Sequence, residues 1–160
     1  MDGDMKTPML ALVFVCGLLA GFGVYAFVSS SPSDPLHTAL YTANAPEPIG
    51  PYSQAVQCGD YLSISGQIGL DPATGNLSGT VAGETRQTME NLRAVLAEGG
   101  LDFPDVVQTR IYLTDLADFD AVNAVYGEYL QEPYPARATV QVAGLPKGAR
   151  VEIEMVAKVR

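Results

Sequence analysis

Few side chains in this sequence are equipped for chemistry, and the most conspicuous is Arg137. It lies in Tyr134-Pro135-Ala136-Arg137-Ala138-Thr139-Val140, where a proline-marked turn feeds a strand. A guanidinium is permanently charged and costly to enclose, so on a strand of a small domain it points to an anion. Glu152 and Glu154 alternate along the last strand and share a face, so either is a candidate proton acceptor. His37 is the only histidine and precedes the domain, and the chain has two cysteines and no tryptophan. That composition argues against a serine–histidine hydrolase and against a zinc site. The plain alternative for Arg137 is a structural interface arginine paired with Glu152 or Glu154.

The elements that must position these groups follow from hydrophobic period and turn signals. Short apolar runs at 53–58 and 60–67 flank Gly59-Asp60 and read as a hairpin. Met89, Leu92 and Leu96 form one stripe, predicting a helix over 82–98 that Gly99-Gly100 stops. A strand is predicted at 105–114, with Val107, Ile111 and Leu113 on one face. A second helix is predicted over 116–130, with Phe119, Val122, Tyr126 and Tyr129 as its stripe and Asp115 or Asp118 as its cap. Strands at 137–143 and 150–159 close the chain, and Val151, Ile153, Met155, Ala157 and Val159 alternate inward on the last. The order is ββαβαββ, an α+β fold with two helices on one face of a mixed sheet. Val140 and Val142 are assigned to the covered face. The open face then carries Arg137, Thr139, Gln141, Glu152 and Glu154, a mixture that burial between subunits explains.

The first quarter of the chain differs from the rest. Residues 8–28 form an uncharged apolar run, about 31 Å long as a helix and enough to cross a bilayer core. We read residues 1–28 as a hydrophobic N-terminal helix, either a transmembrane anchor or a cleaved signal sequence. Lys6 leans the orientation toward a domain outside the cytoplasm, in the periplasm. Gly17 and Gly21 make a GxxxG pair, although glycine is common in such helices. Residues 29–40 read as a linker and residues 41–160 as one domain. From Tyr41 to Arg160 there are 15 acidic and 8 basic residues, a net charge of −7 that disfavours nucleic acid as a partner. Cys16 falls in the apolar run and Cys58, read as a small core residue, in the domain, so an intrachain disulfide is not expected.

Five short segments then carry a resemblance. They are Ile49-Gly50-Pro51-Tyr52-Ser53-Gln54, Ser63-Ile64-Ser65-Gly66-Gln67-Ile68, Val122-Asn123-Ala124-Val125-Tyr126, Tyr134-Pro135-Ala136-Arg137, and Leu145-Pro146-Lys147 with Val151-Glu152-Ile153-Glu154. In this order and spacing the domain resembles the Rid, or YjgF-like, family of reactive-intermediate deaminases. The resemblance implies a chorismate-mutase-like fold, a homotrimer with clefts between subunits, and no cofactor or metal. It implies hydrolysis of 2-imino acids and their enamine tautomers to 2-oxo acids and ammonia, as in 2-iminobutanoate/2-iminopropanoate deaminases. By position it makes Arg137 the grip on the substrate carboxylate and Glu152 the group that orients or activates water. Tyr52, Ser65 and Asn123 match residues that line the cleft, and Thr139 stands where many members have cysteine.

The chemistry suits these residue types. A planar guanidinium grips a carboxylate with two bonds and fixes the adjacent C=N carbon. A glutamate in reach takes a proton from the attacking water and returns one to departing ammonia. Each residue also has a bland reading: Tyr52 as a turn plug, Ser65 and Asn123 as backbone or loop partners, Glu152 as a solvated strand residue. A non-catalytic module that binds small carboxylates, or a chaperone-like interaction module, is the competing function.

Overall fold

The computed structural model describes residues 37–160; the apolar run at 8–28, Cys16, the Gly17–Gly21 pair and most of the 29–40 linker lie outside the described residues. Among the described residues, no helix is long and apolar enough to cross a membrane. The elements are β1 Thr38–Leu40, β2 Ala55–Cys58, β3 Tyr61–Ile68, α1 Val81–Glu98, β4 Val106–Leu113, α2 Phe119–Gly127, β5 Ala136–Gln141 and β6 Val151–Lys158. They form one six-stranded sheet in the order β1-β2-β3-β6-β4-β5. Only β4 and β5, joined through α2, run parallel; the other pairs are antiparallel. From β2 onward the order is the ββαβαββ read from sequence.

β6 lies near the middle of the sheet, and its alternation defines the core. Val151, Ile153, Met155 and Ala157 are fully buried with Leu62, Ile64, Ile111 and Leu113 from neighbouring strands. Met89, Leu92, Val95 and Leu96 of α1 and Val122 and Tyr126 of α2 cover this face. Thr80 starts α1, its hydroxyl oxygen accepting from the Gly83 N–H at 3.1 Å. Gly100, at φ 70°, stops it in a left-handed conformation that suits glycine. Buried Asn91 ties α1 to the end of β3 by donating to the Ile68 and Leu70 carbonyls at 3.0 and 2.9 Å.

The structure corrects the sequence reading in several places. The sheet begins earlier than Tyr41: Thr38–Leu40, placed in the linker, pairs with β2, Leu40 opposite Ala55. Three residues are too few to show an alternating pattern. Gln54 secures the chain just beyond this strand, accepting from the Thr42 N–H at 2.7 Å and donating to the carbonyls of Thr42 and Pro46 at 3.1 and 3.0 Å. Val107 is exposed rather than in line with Ile111 and Leu113. A bulge sets Val106 opposite Ala157 but Gln108 opposite Val156, so Val107 is an extra residue and Val106 points inward instead. The second helix is shorter than 116–130, because residues 116–118 form a separate 3₁₀ turn capped by Asp115. Cys58 is exposed at the hairpin, not in the core.

The most consequential correction concerns β5. Its parallel register sets Arg137 opposite Thr109, Thr139 opposite Ile111 and Gln141 opposite Leu113. Those β4 residues are all buried on the helix-covered side, and paired residues share a face. Arg137, Thr139 and Gln141 therefore lie on the helix side, whereas Val140, 46% exposed, lies on the open side with Glu152 and Glu154. β5 is an edge strand that the helices barely cover, so its inward residues are free to be polar.

Gln54 is 1% exposed and holds the N-terminal segment by several bonds. Gln54→Ala leaves buried backbone groups unpaired and is expected to lower stability by about 2–3 kcal/mol, read from urea-denaturation midpoints. A midpoint equal to wild type contradicts this role.

Candidate active site

Two separate recesses, one on each face of the sheet, hold Asn123 with Arg137 and Tyr52 with Glu152. The first forms where β5 meets α2. Arg137 Nη1 donates to Asn123 Oδ1 at 2.8 Å, and the guanidinium lies 5.1 Å from the ring centre of Tyr126 and 5.8 Å from that of Phe119. Aromatic faces attract a cation without neutralising it, so the charge is held in place and stays available to an anion. Tyr126 is anchored in turn, its hydroxyl donating to Thr109 Oγ1 at 3.2 Å. Burial pushes the Tyr126 phenol up from its ordinary pKa. Among the described residues Arg137 makes no ion pair. A cleft of about 430 Å³ opens beside it, reaching to the end of α2 and the Tyr134-Pro135 turn.

The second recess lies on the open face, where Glu152 of β6 meets β3. A bulge between Ile64 and Gln67 brings Gly66 under the carboxylate. A Cβ placed on Gly66 would lie 1.9 Å from Glu152 Oε1, so only glycine leaves the carboxylate its seat. Tyr52, Ile49 and Pro146 complete a pocket of about 250 Å³ around it. Ser65 does not line this pocket. Its hydroxyl donates to the Ser53 carbonyl at 2.7 Å and its N–H to the Gln54 carbonyl at 3.0 Å, holding the loop that carries Tyr52. Burial, and then the charge of Glu154, raises the Glu152 carboxyl above the ordinary glutamate range. Glu154 is paired with Arg110, 2.5 Å away, whereas Glu152 makes no ion pair among the described residues.

Asn123 and Arg137 are thus together, as are Tyr52 and Glu152, but the two pairs do not share a cavity in one chain. Thr139 lies on the Arg137 side, its Oγ1 buried without a partner and outside the cleft lining. Within one chain Arg137 does not pair with Glu152 or Glu154, because they stand on opposite faces of the sheet. Sequence reasoning gave no role to Gly66, although a glycine inside a strand pattern signals a bulge or a close approach. Phe119 and Tyr126 were read as apolar stripe only, because a ring packing on a helix and a ring cradling a cation have the same spacing.

A six-stranded mixed sheet covered by two helices on one face defines an α+β fold. Residues 42–159 match the family described as Endoribonuclease L-PSP. The chain is 50% identical over 123 residues to the human 2-iminobutanoate/2-iminopropanoate deaminase, covering 76% of this chain and 90% of that one. It superposes on RidA from the Antarctic bacterium Psychrobacter sp. with a TM-score of 0.75 and 45% identity, covering 76% of this chain and 99% of that one. It superposes on Escherichia coli TdcF, solved with bound serine, with a TM-score of 0.74 and 38% identity, covering 77% and 99% of the two chains. The chain belongs to the L-PSP family, also called Rid or YjgF-like.

The Glu152 carboxyl has a measurable consequence. The folded chain retains a proton there that the unfolded chain releases, so this group's contribution to stability falls as pH rises from the ordinary glutamate range through the raised value. Glu152→Gln lacks that loss. Its stability relative to wild type is expected to increase as pH rises through and above the ordinary glutamate range, measured as urea midpoints; a flat difference contradicts the shift.

Proposed function

We propose that this protein is an enamine/imine deaminase that hydrolyses 2-imino acids to 2-oxo acids and ammonia. The observation that carries the reading is the unpaired Arg137 guanidinium, cradled by two aromatic rings and open to a cleft. It fits the carboxylate of a small organic acid. A similar chain carries the deaminase name, and a similar structure holds serine, which also bears an α-carboxylate. The acidic domain, with 15 acidic against 8 basic residues from Tyr41 to Arg160, disfavours RNA as substrate.

Arg137 binds the substrate carboxylate and so fixes the C=N carbon. Glu152 accepts a proton from a water that adds to this carbon, giving a tetrahedral carbinolamine. The amine, once protonated, leaves as ammonia while the C–O bond becomes the carbonyl of the 2-oxo acid. Tyr52 bounds the water side, and Asn123 orients the guanidinium. Because Arg137 and Glu152 occupy opposite faces of one sheet, the complete site forms where the Arg137 face of one subunit meets the Glu152 face of the next, in a homotrimer. The apolar run at 8–28 supports delivery of the domain to the periplasm, as an anchor or as a cleaved signal.

The reading is tested with imines generated by an amino-acid oxidase and followed by trapping with semicarbazide. The full chain should accelerate their decay, and Arg137→Ala should lower kcat/KM on the order of 100-fold. Mixing denatured Arg137→Ala and Glu152→Gln chains and refolding them together should restore part of the activity, since some interfaces regain both groups. No acceleration by wild type defeats the deaminase reading; acceleration without restoration defeats the shared site. Mass spectrometry of the N-terminus in membrane and periplasmic fractions should find an intact anchor or a cleaved form there, and recovery only from the cytosol refutes export.

A further inference from the structure

Glu84 is a buried carboxylate that the reaction above does not use. It stands in the first turn of α1 and is 3% exposed. An acceptor enclosed this far needs a donor. The donor is a backbone group, the Arg150 N–H, 2.8 Å from Glu84 Oε2. The Arg150 side chain adds little, its Nε 4.0 Å from Oε1 and the chain half exposed. The Arg150 carbonyl accepts in turn from the Thr114 N–H at 3.0 Å, just past β4. Arg150 is thus fixed on both its backbone groups at the root of β6, two residues before Glu152.

The backbone of Glu84 braces a second segment. Gly69 follows β3 directly, and a Cβ placed on it would lie 2.5 Å from the Glu84 carbonyl oxygen and 2.6 Å from its Cα. The first turn of α1 therefore rests on the end of β3 with no room for a side chain between them. The residues beside these two contacts wall the Glu152 pocket: Ile68 precedes Gly69, and Pro146 lies in the turn that leads to Arg150. Ile68 is also opposite Glu152 in the β3–β6 ladder. Both contacts of Glu84 are made and enclosed within one chain, so neither waits on a neighbouring subunit.

We propose that Glu84 is a positioning residue for the hydrolysis: through the Arg150 N–H and the close contact with Gly69 it locks the start of α1 to both segments that flank Glu152, and so holds the Glu152 carboxylate where it takes the proton of the attacking water. This rests on the deaminase reading above. A misplacement of about 1 Å made by a remote substitution costs rate on the order of 100-fold. Arg137 stands on β5 and is held by α2, so the grip on the substrate carboxylate does not pass through Glu84. The signature is a loss in kcat with KM preserved.

The test follows imines made in situ from alanine, using the full chain. Glu84→Leu leaves the Arg150 N–H without its acceptor and lowers kcat on the order of tenfold or more, with KM near wild type. Glu84→Gln keeps an acceptor oxygen at the same reach and restores kcat toward wild type. Glu84→Asp, one methylene shorter, withdraws the oxygen and falls between. Gly69→Ala pushes the start of α1 off β3 and lowers kcat in the same way. Circular dichroism melting verifies that each variant is folded; where Glu84→Leu does not fold, Glu84→Asp and Gly69→Ala decide. A role in stability alone lowers the melting temperature and leaves kcat of the folded variants at the wild-type value, which overturns the proposal. Equal impairment of Glu84→Gln and Glu84→Leu, or a loss confined to KM, overturns it too, while the deaminase reading stands. Failure of wild type to accelerate any imine overturns both.

Discussion

The side chains of β6 point alternately to the two faces of the sheet, and the rest of the structure is built around that constraint. Val151, Ile153, Met155 and Ala157 must face the helices because the core is assembled on them. Glu152 and Glu154 are thereby committed to the other face. A shift of one residue would bury two carboxylates and expose the core, so the register is strongly specified. The placement of Glu152 is thus a by-product of core packing. The bulge in β3 then adjusts what lies beneath it, setting Gly66 where a side chain would collide.

Arg137 is governed by a different balance. On an edge strand it escapes the full cost of burying a charge, yet α2 supplies one amide oxygen and two rings to hold it still. An arginine paired with a carboxylate of its own chain would already be satisfied and would bind an external anion poorly. Glu154, by contrast, is satisfied by Arg110, which leaves Glu152 as the carboxylate available on the open face. The sheet separates Arg137 from Glu152, so in the proposed reaction the chemistry of the site and the assembly of subunits become one question.

Much of the fold was legible in sequence because the signals are local. The stripe of Met89, Leu92 and Leu96, the stop at Gly99-Gly100 and the alternation from Val151 to Ala157 each lie within one element. The failures are equally physical. β1 is held by pairing with β2 and, just beyond it, by bonds from Gln54, both distant in sequence. Val107 is displaced by a bulge, which depends on the partner strand as much as on its own. Reading Val140 as inward assumed that the apolar side of a strand faces the core, an assumption that fails on an edge strand with little cover.

By itself, then, the sequence determined the helices, the central strands, the motif residues and the expectation that Arg137 meets an anion, because period, turn chemistry and charge are properties of short segments. Tertiary structure alone decided on which face Arg137 and Glu152 stand, which of the two glutamates is free of an ion pair, and that Ser65 bonds to the Ser53 and Gln54 carbonyls. These are outcomes of register, strand order and distance between remote segments, and a linear pattern carries the alternation of a strand without saying which of its two sides the helices will cover.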